Sequence, residues 1–210
     1  MISALEALDR LRQGNRRFVT GEGAREIKFE HSRREELVHD QNPFAIILGC
    51  SDSRVPAELV FDQGLGDLFV IRVAGNIVKP SQIGSVEFAA EKFGTKLVVV
   101  LGHSQCGAVL ATLDELKHSS GAGSPNLRTI VDSIRPSVEC LFERDCVGQG
   151  ELYPKELVQA AVRANILASV DQLQKGSDIL KKLIEDEWLL VVGAEYSLET
   201  GMVEFMDNQD

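Results

Sequence analysis

The sequence predicts an α/β protein: a central, mainly parallel β-sheet flanked by helices, with an N-terminal helical arm. Three observations predict it. Short apolar runs without polar alternation recur at residues 44–48, 68–73, 96–101 and 189–193, as in strands buried on both faces. Helical patterns lie between most of them. Polar clusters follow the first and third runs directly, and open parallel sheets gather ligands at such strand ends.

Residues 1–20 read as the helix of the arm. Ser3 caps it, and Glu6 completes a capping box. Leu5, Leu8, Leu11 and Phe18 recur near helical spacing, and Gly21 and Gly23 stop the run. The charged stretch 24–41 holds a short helix at 32–39, ended by Asn42-Pro43. The first strand, 44–48, runs into Gly49-Cys50-Ser51-Asp52-Ser53-Arg54 and a helical turn at 56–61. The second, 68–73, ends in Ala74-Gly75-Asn76, with a helix at 81–93 stopped by Gly94. The third, 96–101, ends in Gly102-His103-Ser104-Gln105-Cys106-Gly107, with a helix at 108–116. A Ser/Gly-rich loop at 118–126 precedes helices at 127–144, 154–174 and 178–185. Residues 189–193 form the fourth strand. Thr200-Gly201 turns between two short terminal strands at 194–198 and 202–205. The expected organisation is one domain over residues 1–210, with an arm at 1–41 and an α/β core at 42–210.

Composition excludes several classes. With 22 Lys+Arg against 32 Asp+Glu the formal charge is −10, which argues against broad capture of nucleic acid or anionic membrane. Four cysteines are too sparse for a disulfide scaffold. No apolar run has membrane-spanning length, and the first ten residues lack a secretory pattern. The expected location is therefore a reducing cytoplasm, where thiols are free, metal-bound or catalytic.

Cys50, His103 and Cys106 form a candidate zinc site of two thiolates and an imidazole. One loop supplies His103 and Cys106, three residues apart, and a neighbouring strand end supplies Cys50. Three protein ligands leave the fourth tetrahedral position open, the catalytic rather than the structural pattern. Spacing alone leaves the alternative of a buried structural cysteine and a loop histidine with no metal. Arg54 can hold Asp52 in a charge-assisted pair, keeping the carboxylate free to orient a zinc-bound hydroxide; the plainer reading is a turn aspartate and a solvated arginine.

Cys50-Ser-Asp-Ser-Arg54 followed by His103-Ser-Gln-Cys106-Gly107 resembles the β-class carbonic anhydrases. So do the leading amphipathic helix, Gly66-Asp-Leu-Phe-Val-Ile-Arg72, Ala74-Gly75-Asn76, Gly84-Ser85 and Glu195-Tyr196, and together these span nearly the whole chain. The resemblance implies a carbonate dehydratase that interconverts CO2 and bicarbonate. It implies one Zn²⁺ per subunit on Cys50, His103 and Cys106, and an Asp52–Arg54 catalytic dyad. It further implies a homodimer or dimer of dimers, with sites at the dimer interface and the helical arm packed across the other subunit; the plainer reading of the arm is a local lid on its own chain. Gln41 matches a substrate-binding glutamine, Phe69 an aromatic pocket wall, Ala74 an apolar pocket residue, and the Gly107 N–H a donor to substrate oxygen. Phe88 stands where many members have Tyr.

One departure is informative. Some bacterial members carry a regulatory bicarbonate pocket of Trp, Arg and Tyr. Arg72 and Tyr196 match two of these, but Ile47 takes the place of the Trp, so the resemblance implies the open type with Asp52 on Arg54. Two thiolates cancel the zinc charge, +2 − 2 = 0, so activity is expected to rise on the alkaline side of neutral. The alternatives are a same-fold hydrolase of CS2 or COS and a non-catalytic zinc-binding interaction protein. A zinc deaminase is disfavoured because His103 is followed by Ser104-Gln105 rather than x-Glu. His31, His39 and His118 read as surface residues, and Cys140 and Cys146 as packing or incidental thiols.

Overall fold

A computed structural model of the chain describes residues 2–22, 31–118, 123–145 and 153–206. Helix α1 (Ala4–Thr20) begins where the capping box forms: the Ser3 hydroxyl accepts from the Glu6 N–H, and the Glu6 carboxylate accepts from the Ser3 N–H. Gly21, in the left-handed region, closes it. A short α2 (His31–Glu36) precedes β1 (Ala45–Gly49), and α3 (Ala57–Val60) leads to β2 (Leu68–Arg72). A 3₁₀ turn (Ala74–Asn76), α4 (Pro80–Phe93) and β3 (Leu97–His103) follow. Then come α5 (Gly107–His118), α6 (Pro125–Asp145), α7 (Lys155–Lys175), α8 (Asp178–Glu185), β4 (Leu190–Tyr196) and β5 (Val203–Met206). Part of the 118–126 loop, Cys146 and residues 151–152 lie outside the described residues. No helix among the described residues is long and apolar enough to cross a membrane.

The strands form one sheet in the order β2-β1-β3-β4-β5, parallel except for antiparallel β5. Strands β1 and β3 are buried along their whole length. Strand β2 is not, because it is an edge with β1 as its one neighbour: Leu68 and Ile71 are buried but Arg72 is exposed. One sheet face packs Ile46, Leu48, Val98 and Val100 against Val86, Val109, Ile134 and Ile166 of α4 to α7. The other packs Ile47, Val99, Leu101 and Val192 against Leu8 and Leu11 of α1 and Val60 of α3.

One expectation is filled in here and one changes. Leu8 and Leu11 of the first helix are almost fully buried on its own chain's sheet, while Leu5 remains exposed. And residues 189–193 and 194–198 are not two strands, because β4 runs unbroken through Gly193. A Cβ at Gly193 would lie 2.8 Å from Ile166 Cγ2, and one at Gly102 would lie 2.5 Å from Ile166 Cγ1. The glycines make the hollow that receives Ile166; they do not mark a turn.

Gly14 lets α1 lie flat on the end of α3, where a Cβ would stand 1.8 Å from the Phe61 carbonyl oxygen. Helix propensity alone favours Gly→Ala by about 1 kcal/mol. Gly14→Ala is instead expected to destabilise by at least about 2 kcal/mol, because the added atom meets backbone and α1 must lift. A thermal melt checks the sign: the midpoint should fall by about 4–8 °C, and a rise would contradict this packing.

Candidate metal centre

The chain goes from β1 to β2 on one side of β1, then to β3 on the other. This reversal opens a crevice at the carboxyl ends of β1 and β3. Cys50 follows β1 directly, His103 ends β3 and Cys106 precedes α5. Their ligand atoms lie within 4.8 Å of one another, and all three residues are buried.

The donor set fits a zinc ion. The His103 ring is fully buried, and its Nδ1 lies 2.8 Å from the Ser104 carbonyl oxygen. That carbonyl can only accept, so Nδ1 carries the proton and Nε2 presents its lone pair. Among the described residues the buried side-chain atoms without a hydrogen-bond partner are Asn76 Nδ2 and this Nε2. An orphaned imidazole lone pair beside two sulfurs suits a borderline-soft dication.

The sulfurs are already polarised. The hydrogen bond with Cys106 pulls the Cys50 thiol down to about 4 against its burial; His103 and the N–H groups of Gly75 and Asp52 add to this. The same thiol-to-thiolate hydrogen bond, with burial, pushes Cys106 far above the ordinary thiol range. The pair therefore holds one shared proton, which a bound dication would replace. The His103 imidazole is raised: burial, its largest influence, opposes the charge, but the adjacent Cys50 thiolate outweighs it.

Asp52 and Arg54 form a two-point ion pair beside this cluster. Arg54 Nε donates to Asp52 Oδ1 at 2.9 Å and Nη2 to Oδ2 at 2.7 Å, while the Arg54 N–H also reaches Oδ1 at 3.0 Å. The Arg54 hydrogen bonds hold the Asp52 carboxyl well below the usual carboxylate range. The sign is that of a depressed acid: its stabilisation is present above about pH 4, the unfolded carboxylate value, and fades only as strong acid protonates the folded group. Asp52 Oδ2 lies 3.9 Å from His103 Nε2, on the ligand side of the pair.

Arg72 braces the same loop, donating to the Cys50 carbonyl at 3.0 Å and the Asp52 carbonyl at 2.6 Å. Ile47 and Tyr196 sit in the apolar layer under α1, with the Tyr196 ring 6.5 Å from Phe18. Ala74 and Gly107 flank the cluster in sequence: Gly75 donates its N–H to Cys50 Sγ at 3.3 Å, and Gly107 opens α5 directly after Cys106.

Three expected pocket residues lie elsewhere in the chain. Phe69 stands opposite Ile46, four residues back from Cys50, which is about 13 Å along the strand. Phe88 and Phe93 pack with it, at 6.3 and 6.0 Å between ring centroids. Gln41 shares an open groove with Phe93, Leu65 and His39. One chain thus brings Cys50, His103, Cys106, Asp52, Arg54 and Ala74 together, and sets Gln41, Phe69 and Phe88 along the β2 edge. His118 ends α5, about 18 Å from the Cys106 end. Cys140 is exposed on α6, and the His31 side chain lies outside what is described.

Sequence reasoning missed the Gly75 N–H on Cys50, and the two α7 side chains, Asn165 and Ser169, that hold that turn. The available signal was two polar residues four apart on the apolar, buried face of α7.

A family model described as carbonic anhydrase matches residues 45–203. The chain is 35% identical over 198 residues to carbonic anhydrase 2 of Mycobacterium tuberculosis, covering 94% of this chain and 90% of that one. It is 37% identical over 194 residues to a carbonic anhydrase of Mycolicibacterium smegmatis, covering 92% and 89%. Among solved structures, the β-carbonic anhydrase CcaA superposes with a TM-score of 0.71 at 27% identity, covering 95% of each chain. One of two tetrameric β-carbonic anhydrases from Sordaria macrospora superposes with a TM-score of 0.73 at 25% identity, covering 84% and 87%.

Proposed function

Since this chain belongs to the β-carbonic anhydrase family and is a carbonate dehydratase, we propose that it works through one zinc ion held by Cys50, His103 and Cys106, with Asp52 and Arg54 as the catalytic dyad. The observation that carries this is the buried, unpartnered Nε2 of His103 facing two thiols beside a carboxylate locked onto arginine. Zinc, when bound, supplies the Lewis acidity that makes water a nucleophile near neutral pH.

The protein's own groups do the rest. Arg54 fixes both oxygens of Asp52, so the carboxylate serves as a directed acceptor for the proton of the reacting water. The same pairing keeps it from taking the open ligand position. Ala74 gives an apolar flank for a neutral gas. The first-turn N–H of Gly107 has no intrahelical acceptor, so it is free to steady a substrate oxygen. Gln41, Phe69 and Phe88 complete the pocket from a second copy of the chain: they lie along the open β2 edge, where Phe88, Leu65 and Val38 are exposed. A homodimer or dimer of dimers follows from this reading, and the Sordaria relatives are described as tetrameric.

Stopped-flow CO2 hydration, with zinc quantified on the same sample, tests the reading. Turnover is expected to scale with zinc content and to approach zero in metal-stripped protein, returning on zinc addition. Activity independent of zinc, or stoichiometric zinc with faster CS2 or COS turnover than CO2 hydration, would overturn it.

A further inference from the structure

The 3₁₀ turn Ala74–Asn76 is an expensive piece of backbone. Gly75 (φ +72°) and Asn76 (φ +44°) both lie in the left-handed region, and Asn76 lacks the freedom of glycine there. Even at Gly75 a Cβ would stand 2.8 Å from Ile134 Cδ1 and 3.0 Å from Ala108 Cβ. The conformation therefore needs external support, and α7 provides it. Asn165 Nδ2 donates to the Gly75 carbonyl at 2.8 Å, and the Ser169 hydroxyl donates to the Asn76 carbonyl at 3.1 Å. Both side chains are about 3% exposed and come from some 90 residues away.

These two polar groups sit on a helix face otherwise made of Leu157, Val158, Ala161, Val162, Ile166 and Leu173. Apolar residues would pack such a face at no desolvation cost. What the polar pair adds is orientation. The Gly75 carbonyl shares its rigid peptide plane with the Asn76 N–H, which donates to the Val73 carbonyl at 3.0 Å, so Asn165 grips from one end a plane that the turn grips from the other, and this narrows the aim of the adjoining Gly75 N–H across the Gly75 Cα. It points at Cys50 Sγ, 3.3 Å away.

The two sulfurs are treated alike but by different means. Cys106 takes N–H groups of Ala108 and Val109 from the first turn of α5, which its own helix holds in place. Cys50 is near the Asp52 N–H of its own loop, but the N–H that donates to it at 3.3 Å, that of Gly75, comes from a separate turn that the Cys50 loop does not hold. We propose that Asn165 and Ser169 are positioning residues for Cys50: they hold the Gly75 N–H on its sulfur, drawing electron density from the thiolate so that the bound metal stays electron-poor. This rests on Cys50, His103 and Cys106 being the metal centre. Two thiolates formally neutralise a dication, so each N–H that withdraws density from sulfur restores part of the metal's acidity.

The test uses the full-length protein loaded with Co²⁺ in place of zinc, reading the sulfur-to-cobalt charge-transfer band, together with zinc affinity by chelator competition. Asn165→Leu keeps the approximate volume and cannot donate; Ser169→Ala is the milder change if the first does not fold. Both are expected to move the band to longer wavelength, and Asn165→Leu to weaken zinc binding about tenfold. Asn15→Leu is the control, since Asn15 makes three hydrogen bonds of similar kind, to Val60, Gly201 and Val203. It should lower the melting temperature and leave the band where it is. A charge-transfer band in the wild type that neither α7 variant moves, with unchanged zinc affinity, overturns this inference and leaves the metal centre standing. Wild-type protein that shows no such band with Co²⁺ overturns both.

Discussion

His103→Ala protein is expected to purify without zinc and without CO2 hydration activity, yet folded. Changes in groups that merely orient a metal ligand cost about 10–100-fold in affinity or activity. Removing a ligand should exceed that range, because two sulfurs alone leave half of a tetrahedral site open. Folding should survive because neither apolar layer depends on the imidazole, although deleting a fully buried ring leaves a cavity and lowers the melting temperature. Cys50→Ser changes shape less and should give the same loss of metal. A readout apart from activity is available: a metal that binds the native state alone raises wild-type stability, by about 2.7 kcal/mol at a hundred times its dissociation constant. Neither variant should stabilise on zinc addition. Stoichiometric zinc or near-normal turnover in His103→Ala would remove it from the ligand set.

The same residues show how far a sequence carries a structural argument. Buried parallel strands announce themselves because both faces are covered, so β1 and β3 read as unbroken apolar runs. The polar clusters at their ends could then be placed together, since neighbouring strands in a parallel sheet finish at one edge. The apolar stripe of α1 was equally clear, but a stripe states that a helix is covered, not by what. Leu8 and Leu11 turned out to have a partner on the chain's own sheet. Gly193 looked like an ending because glycine weakens a strand, whereas the cause is Ile166, which comes from 27 residues earlier and fills the hollow. Register was the least legible feature. Phe69 follows the metal loop in sequence by a short distance, yet pairing with Ile46 carries it well back from the strand ends. In the proposed reading, that displacement is why the aromatic wall is assigned to a second copy. Asn165 was hidden for the opposite reason, since its effect passes through a carbonyl of a turn 90 residues away.

Asp52→Asn should keep its zinc and lose about a hundredfold or more in turnover, the range that a positioned proton acceptor supplies. The substitution is close to isosteric, and Asp52 is not among the three buried residues proposed as ligands, so metal content should stay at the wild-type level. What changes is the pairing. An amide cannot take two charge-assisted bonds from Arg54, and it presents N–H where the carboxylate presented a lone pair. The pH dependence separates this role from a merely structural one. Because Arg54 holds the Asp52 carboxyl far below neutral, the carboxylate is ionised throughout the working range and does not itself set the midpoint of the activity profile. The variant should therefore show a lower plateau. Removing a negative charge beside the reacting water also favours deprotonation there, so any displacement of the midpoint runs toward acid. Arg54→Ala should resemble it more weakly, since Asp52 keeps its charge but loses its direction. A zinc-replete Asp52→Asn protein with wild-type turnover would remove Asp52 from the mechanism. An acid displacement with an unchanged plateau would instead mark it as an electrostatic neighbour of the site.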